Sequence, residues 1–191
     1  MTDTTTVVAA LAAIRDELSA GVDDLLADDH GGLDAVAALL TDAERVFVLG
    51  AGRSGLALRM TAMRLMHLGL TVHVVGEVTT PAITARDVLL TASGSGTTAG
   101  IVRGAQSAVD VGARVAAITT APGSPLGVLA SATIVVPAPE KQAHGSGASI
   151  QYAGGLFEQT VVLVGDALFH AAWQRSGIPA EELWPRHANL E

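Results

Sequence analysis

At 191 residues with a formal charge of −8 and no basic cluster, the chain is long enough to bury a core as one domain and poorly suited to nucleic acid. The absence of cysteine excludes disulfides and thiolate metal sites and points to a cytoplasmic protein. Apolar residues make up 49% of the chain, yet no run approaches the roughly 20 residues that cross a bilayer, and the first turns lack a basic start and a signal-type apolar core, so neither membrane insertion nor secretion is expected.

From Val7 to Leu26, apolar residues at Val8, Leu11, Ile14, Leu18, Val22 and Leu25 recur at helical spacing and predict an amphipathic helix. Asp28 to Gly32 breaks it, and Leu33 to Leu40 forms a shorter helix ending near Thr41. Five short apolar, β-branched runs follow, at Arg45–Leu49, Thr71–Val75, Val88–Ala92, Arg114–Ile118 and Thr133–Val136. Helical patterns at Ser54–Leu68, Thr97–Val111 and Pro125–Ser131 separate them, except that a loop joins the second run to the third. This alternation predicts an α/β three-layer sandwich, a five-stranded parallel sheet flanked by helices. A Gly/Ser-rich loop, His144 to Ser149, leads into a long apolar helix from about Tyr152 to Arg175, with Gly177 placed to end it and Pro179 just beyond. The tail, 180–191, holds one short helical candidate. No repeat or linker appears, so residues 1–191 read as one domain with N-terminal helices over 5–41. The high apolar content predicts an exposed patch that serves a subunit interface.

Ser93-Gly94-Ser95-Gly96-Thr97-Thr98 lies between the third predicted strand and a helix. Its glycines allow close backbone approach to an anion, its hydroxyls donate hydrogen bonds, and a helix start carries partial positive charge. A flexible linker has the same composition, but linkers do not usually join a buried strand to a helix. Gly50-Ala51-Gly52-Arg53-Ser54-Gly55 matches the dinucleotide fingerprint G-x-G-x-x-G, and Glu77, at the end of the second strand, sits where that fold keeps its ribose-binding acid. Against a dinucleotide stand the second cradle at Ser93 and the lack of a substrate domain after the sheet.

These two loops, together with Met63–Gly69, Val75–Ile83, Leu156-Phe157-Glu158-Gln159 and the terminal Arg186–Glu191, resemble the sugar isomerase (SIS) domain and, more narrowly, the 6-phospho-3-hexuloisomerases, over about residues 10 to 191. The resemblance implies a flavodoxin-like, nucleotide-binding-type topology. It implies an isomerase interconverting D-arabino-3-hexulose 6-phosphate and fructose 6-phosphate through a cis-enediol, in the ribulose monophosphate route of formaldehyde fixation. No metal, nucleotide or redox cofactor is required by that chemistry. The implied partners are the phosphosugar, further copies of the chain as a dimer or homotetramer, and, functionally, 3-hexulose-6-phosphate synthase. Two positions depart from the family pattern: Thr97 stands where Glu is common, and Gln151-Tyr152-Ala153-Gly154-Gly155 replaces a Pro-Met-Gly-Ser/Thr type segment.

On this reading Ser93, Ser95 and Thr98 take the phosphate, with Thr97 as backbone donor and Gly52 and Ser54 completing the shell from the first loop. Arg53 is a cation for phosphate or a sugar hydroxyl, with a surface salt bridge as the alternative. Glu158 is the base; a carboxylate at a helix start is also a routine dipole partner. His187 is the second acid/base group, in a tail that the resemblance carries to an active site of its own or a neighbouring subunit, and a solvated terminal histidine is the alternative. His67 reads as a site candidate or as a packed, capping residue near Gly69. Glu77 contacts sugar hydroxyls or serves as an alternative base. His30, His73, His144 and His170 show no metal-ligand spacing. Two competing functions remain open: an isomerase of another phosphosugar, and a non-catalytic sugar-phosphate sensor, whose usual helix-turn-helix domain has no counterpart here.

Overall fold

Residues 6–139 and 149–190 are described by the structure, a computed structural model. The Gly/Ser-rich run expected from His144 lies outside the described residues except for Ser149. Five strands, β1 (Val46–Gly50), β2 (Val72–Val74), β3 (Val88–Ala92), β4 (Arg114–Thr119) and β5 (Ala132–Val135), form one parallel sheet in the order β2-β1-β3-β4-β5. This is the flavodoxin-type order. Central parallel strands are covered on both faces and need continuous apolar character, and Val88–Ala92 is buried at every position.

Alternation along the strands divides the core in two. Val46, Val48, Leu90, Ile118 and Ile134 face α2 (Gly32–Thr41), α3 (Gly52–Leu68) and α6 (Gly155–Ser176). Phe47, Leu89, Val115 and Ala117 face α4 (Ala99–Asp110) and α5 (Pro125–Leu129). The first helix, α1 (Val7–Asp28), packs outside this layer against α6 and buries only Gly21 and Leu25. Val7, Val8, Leu11 and Leu26 therefore stay exposed, and the apolar stripe of this helix is covered only in part. A short α7 (Ala180–Leu183) and a 3-10 turn (Trp184–Arg186) close the described chain. Among the described residues no helix is long and apolar enough to cross a membrane.

Of the boundaries that differ from expectation, three have a plain local reason. β2 stops at Val74, and Glu77, expected at the end of the strand, lies in a turn closed by bonds from Glu77 N to Val74 O (3.1 Å) and from Thr80 N to Glu77 O (3.0 Å). α4 starts at Ala99 rather than Thr97, because the preceding loop spends its polar groups on itself, as described below. α6 starts at Gly155 rather than Tyr152, after a turn in which Ala153 has a left-handed φ of 48°. Its other end follows the sequence, with Gly177 at the C-cap.

The β2–β3 connection carries no helix and is held by charge instead. Asp87, fully buried, accepts from Arg45 Nε (2.9 Å) and Nη2 (2.7 Å), and from Thr84 N (2.6 Å) and Oγ1 (2.9 Å). Arg45 also donates to the Ala82 carbonyl at 3.1 Å. Burial alone pushes the Asp87 carboxyl up, but the bonds from Arg45 and Thr84 together outweigh it and hold the group below its ordinary value of 3.8. A carboxyl depressed in the folded state contributes stability that is fully present above 3.8 and is lost as pH falls through the lower folded value. Asp87→Asn is expected to lower stability at neutral pH, with the deficit against the parent shrinking below 3.8, as read by denaturant unfolding across the acid range.

Candidate active site

β1 and β3 are hydrogen-bonded neighbours, yet α3 leaves β1 toward one face of the sheet and α4 leaves β3 toward the other. The crevice beyond their C-terminal ends is a topological switch point, the place where open α/β sheets bind ligands. Both glycine loops open into it. A cavity of about 430 Å³ is lined by Ala51, Gly52 and Ser54 from the first loop and by Ser93, Gly94, Ser95, Thr97 and Thr98 from the second.

The first loop is tight because two glycines touch. A Cβ on Gly55 would lie 2.5 Å from the Gly50 carbonyl oxygen, and one on Gly50 would lie 2.7 Å from Gly55 Cα. Without those side chains α3 starts directly against the end of β1, and its first-turn amides, unpaired within the helix, border the cavity. In the second loop Ser93 Oγ and Thr98 Oγ1 share a hydrogen bond of 3.1 Å, and Thr97 donates to Ser95 Oγ from its amide (3.3 Å) and its hydroxyl (2.9 Å). The Thr98 hydroxyl thus faces Ser93 instead of capping α4. Gly96, at φ 62°, has no room for a Cβ, whose place is taken by the Ser124 side chain.

Glu158 occupies the first turn of α6 and is 4% exposed. Its neighbour Phe157 lies against Gly94, which brings this turn to the second loop. Arg53, between two residues that line the cavity, places Nε 3.1 Å from Glu158 Oε2. Its guanidinium is therefore in an ion pair with a buried carboxylate, while the arginine side chain itself is 64% exposed at the margin of the cavity. α6 runs alongside α3 in the same direction, as the pairs Arg53–Glu158 and Arg64–Asp166 (3.5 Å) record. Glu77 does not reach this cavity; it pairs with Arg59 at 2.8 Å on the exposed side of α3.

His67 and His187 come together elsewhere, at the C-terminal end of α3. Their rings stack at 4.0 Å between centroids, and Trp184 lies 4.7 Å from His187 on the outside. Arg186 Nη1 donates to the His67 carbonyl at 3.1 Å, a cation at a helix C-terminus. Arg53 and His67 are fourteen residues apart on one helix, which separates the two ends of α3 by about 21 Å. Within one chain, then, Glu158 and His187 do not share a cavity. Among the described residues no three His, Asp or Glu side chains converge as a metal site.

The sequence pattern of the SIS domain matches residues 39–163. The chain belongs to the SIS-domain family. A 3-hexulose-6-phosphate isomerase from Mycobacterium gastri is 54% identical over 181 residues, covering 95% of this chain and 89% of the relative. One of the same name from Bacillus subtilis is 40% identical, covering 83% of this chain and 86% of the relative. Among solved structures, a Methanococcus jannaschii protein, whose crystal structure infers a molecular function of 3-hexulose-6-phosphate isomerase, superposes with a TM-score of 0.81 at 28% identity, covering 95% of this chain and 99% of that one.

Two networks of this SIS domain carry no signal in its sequence. One ties the Gly94 carbonyl to Thr119 and Thr120. The other joins α1 to the segment before α6: Glu17 accepts from Ile150 N (2.8 Å) and Gln151 Nε2 (2.9 Å), and Gln151 also reaches Gln159 (3.0 Å). The His67 ring is 5% exposed, and its Nδ1 has no hydrogen-bond partner among the described residues. Burial, then the proximity of His187 and Arg64, lowers its pKa below the ordinary 6.5. Nuclear magnetic resonance of the ring protons is expected to show His67 titrating below 6.5, and His187→Ala is expected to move that midpoint upward.

Proposed function

We propose that this chain is a 3-hexulose-6-phosphate isomerase that interconverts D-arabino-3-hexulose 6-phosphate and fructose 6-phosphate. The observation that carries this reading is a buried carboxylate, Glu158, set beside a cavity whose lining is hydroxyls and helix-start amides. Identity of 54% to a relative of that name accompanies it. Moving a ketone from carbon 3 to carbon 2 needs a proton removed from carbon 2, a cis-enediol, and a proton returned to carbon 3, with no net oxidation. One carboxylate and one further acid/base group suffice.

In this scheme Ser93, Ser95, Thr98 and Ser54 take the phosphate, helped by the backbone at Gly52 and Thr97, so that the sugar is anchored away from its reacting carbons. Glu158 moves the proton between carbons, and Arg53 orients its carboxylate. His187, supported by His67, serves the sugar oxygens. Because α3 separates the two groups, this scheme takes the histidine from a neighbouring subunit. If two α3 helices pair antiparallel about a two-fold axis, each tail lies at the other copy's phosphate loops. The outer face of α3 suits such pairing: Leu56, Met60 and Met63, at helical spacing, are 64%, 51% and 51% exposed. Glu77, paired with Arg59 away from this cavity, takes no step in this scheme. The assembly is a dimer or homotetramer of cytoplasmic chains, each one domain, acting after 3-hexulose-6-phosphate synthase in the ribulose monophosphate route.

Substrate made in place from formaldehyde and ribulose 5-phosphate by the synthase is expected to yield fructose 6-phosphate only when this chain is added. Glu158→Gln should lower turnover about 100-fold or more while phosphosugar binding persists, as read by steady-state rates and ligand titration. The neighbour role has its own test. Glu158→Gln and His187→Ala chains, unfolded together and reassembled, should regain activity in about a quarter of their sites, because half of random pairs are mixed and each has one intact site. No recovery would place His187 in its own subunit.

A further inference from the structure

The second glycine loop does not hold its own shape. Gly94, a lining residue, turns its carbonyl away from the cavity to three donors, none of which lines that cavity: Thr120 N (3.0 Å), Thr119 Oγ1 (2.9 Å) and Thr120 Oγ1 (2.9 Å). All three come from the last residue of β4 and the first residue after it. The start of α5 takes the next carbonyl but one, as Leu126 N donates to Gly96 O at 3.1 Å, and the side chain of Ser124, the N-cap of that helix, fills the space where Gly96 lacks a Cβ. A trans peptide is planar, with its N–H opposite its C=O. Fixing the Gly94 carbonyl therefore fixes the Ser95 N–H on the opposite side, toward the cavity. The amides of Gly94 and Ser95 have no acceptor among the described residues.

We propose that Thr119 and Thr120 are positioning residues for phosphate binding: their hydroxyls aim the Ser95 amide at the anion by clamping the Gly94 carbonyl, without touching the substrate. This rests on the reading of Ser93–Thr98 as the phosphate cradle. Carbonyls left free in a glycine-rich loop would let the peptide flip, presenting oxygen rather than N–H to a dianion. Thr119 is buried and also accepts from Ala121 N (3.2 Å), so it holds the turn as well as the loop. Thr120 is the cleaner probe, since it is partly exposed and its hydroxyl has Gly94 O as its partner.

The test compares Thr120→Val, which keeps shape and loses the hydroxyl, with Thr120→Ser, which keeps the hydroxyl. Fructose 6-phosphate is the substrate and inorganic phosphate the binding probe. Thr120→Val is expected to raise KM about five- to tenfold and to weaken protection by phosphate against thermal unfolding, with kcat within about twofold, because a phosphate contact is equally strong in ground and transition states. Thr120→Ser is expected to stay near the parent in both. A KM unchanged in Thr120→Val, or a loss confined to kcat, overturns the clamp while leaving the cradle intact. Failure of phosphate to protect the parent chain overturns the cradle, and the clamp with it. Unfolding midpoints without phosphate, measured for both variants, separate a general loss of stability from loss of the anion site; Thr119→Val extends the series, and a KM that rises in neither valine variant rejects the proposal.

Discussion

The binding rim of this molecule depends on the pairing of β1 with β3. All five strands are parallel, so every following helix starts at the same edge of the sheet with its N-terminal amides directed there. Only where two adjacent strands send their helices to opposite faces does that edge open into a crevice. The register of the pair, Gly50 opposite Ala92, releases the two glycine loops side by side. The contact between Gly50 and Gly55 then removes the spacer that any side chain would insert, and α6, laid parallel to α3, delivers Glu158 to the same rim. The site is a property of strand order before it is a property of any one residue.

In a chain of charge −8, the cavity at this rim is lined by neutral donors. The cavity lining contains serines, threonines and glycines and no lysine or arginine. Arg53, the cation at its margin, is committed to Glu158. Dipolar donors act on an anion by geometry, each through a directed hydrogen bond, where a cation acts by its charge.

Much of the fold was legible because each strand is a short β-branched run between helical patterns, and because Gly177 and Pro179 punctuate α6 in the expected way. The helix starts were less legible. Thr97 and Thr98 look like a helix opening, but the Ser93–Thr98 hydroxyl pair takes the cap away, and Tyr152 looks helical until Ala153 enters the left-handed region. Of the site, the two hydroxyl- and glycine-rich loops were visible because their chemistry is local. The partner of Arg53 was not, since Glu158 is distant in sequence and no spacing rule joins them. The stacking of His187 on His67 was invisible for the same reason. Thr119 ends a buried strand in which threonine is ordinary and Thr120 follows it into the turn, so nothing in their residue type announced a link to Gly94.

The two edge strands are the shortest of the sheet: β2 has three residues and β5 has four. An edge strand offers unpaired amides and carbonyls to any extended chain, and its grip grows with length. Edges this brief leave little on which a second sheet, or an unfolded copy, could register itself. Continuation of the sheet from molecule to molecule is thereby discouraged, and association is directed to helical surfaces, which exist only after the chain has folded. A newly made chain is consequently protected from templated aggregation during the interval in which it folds.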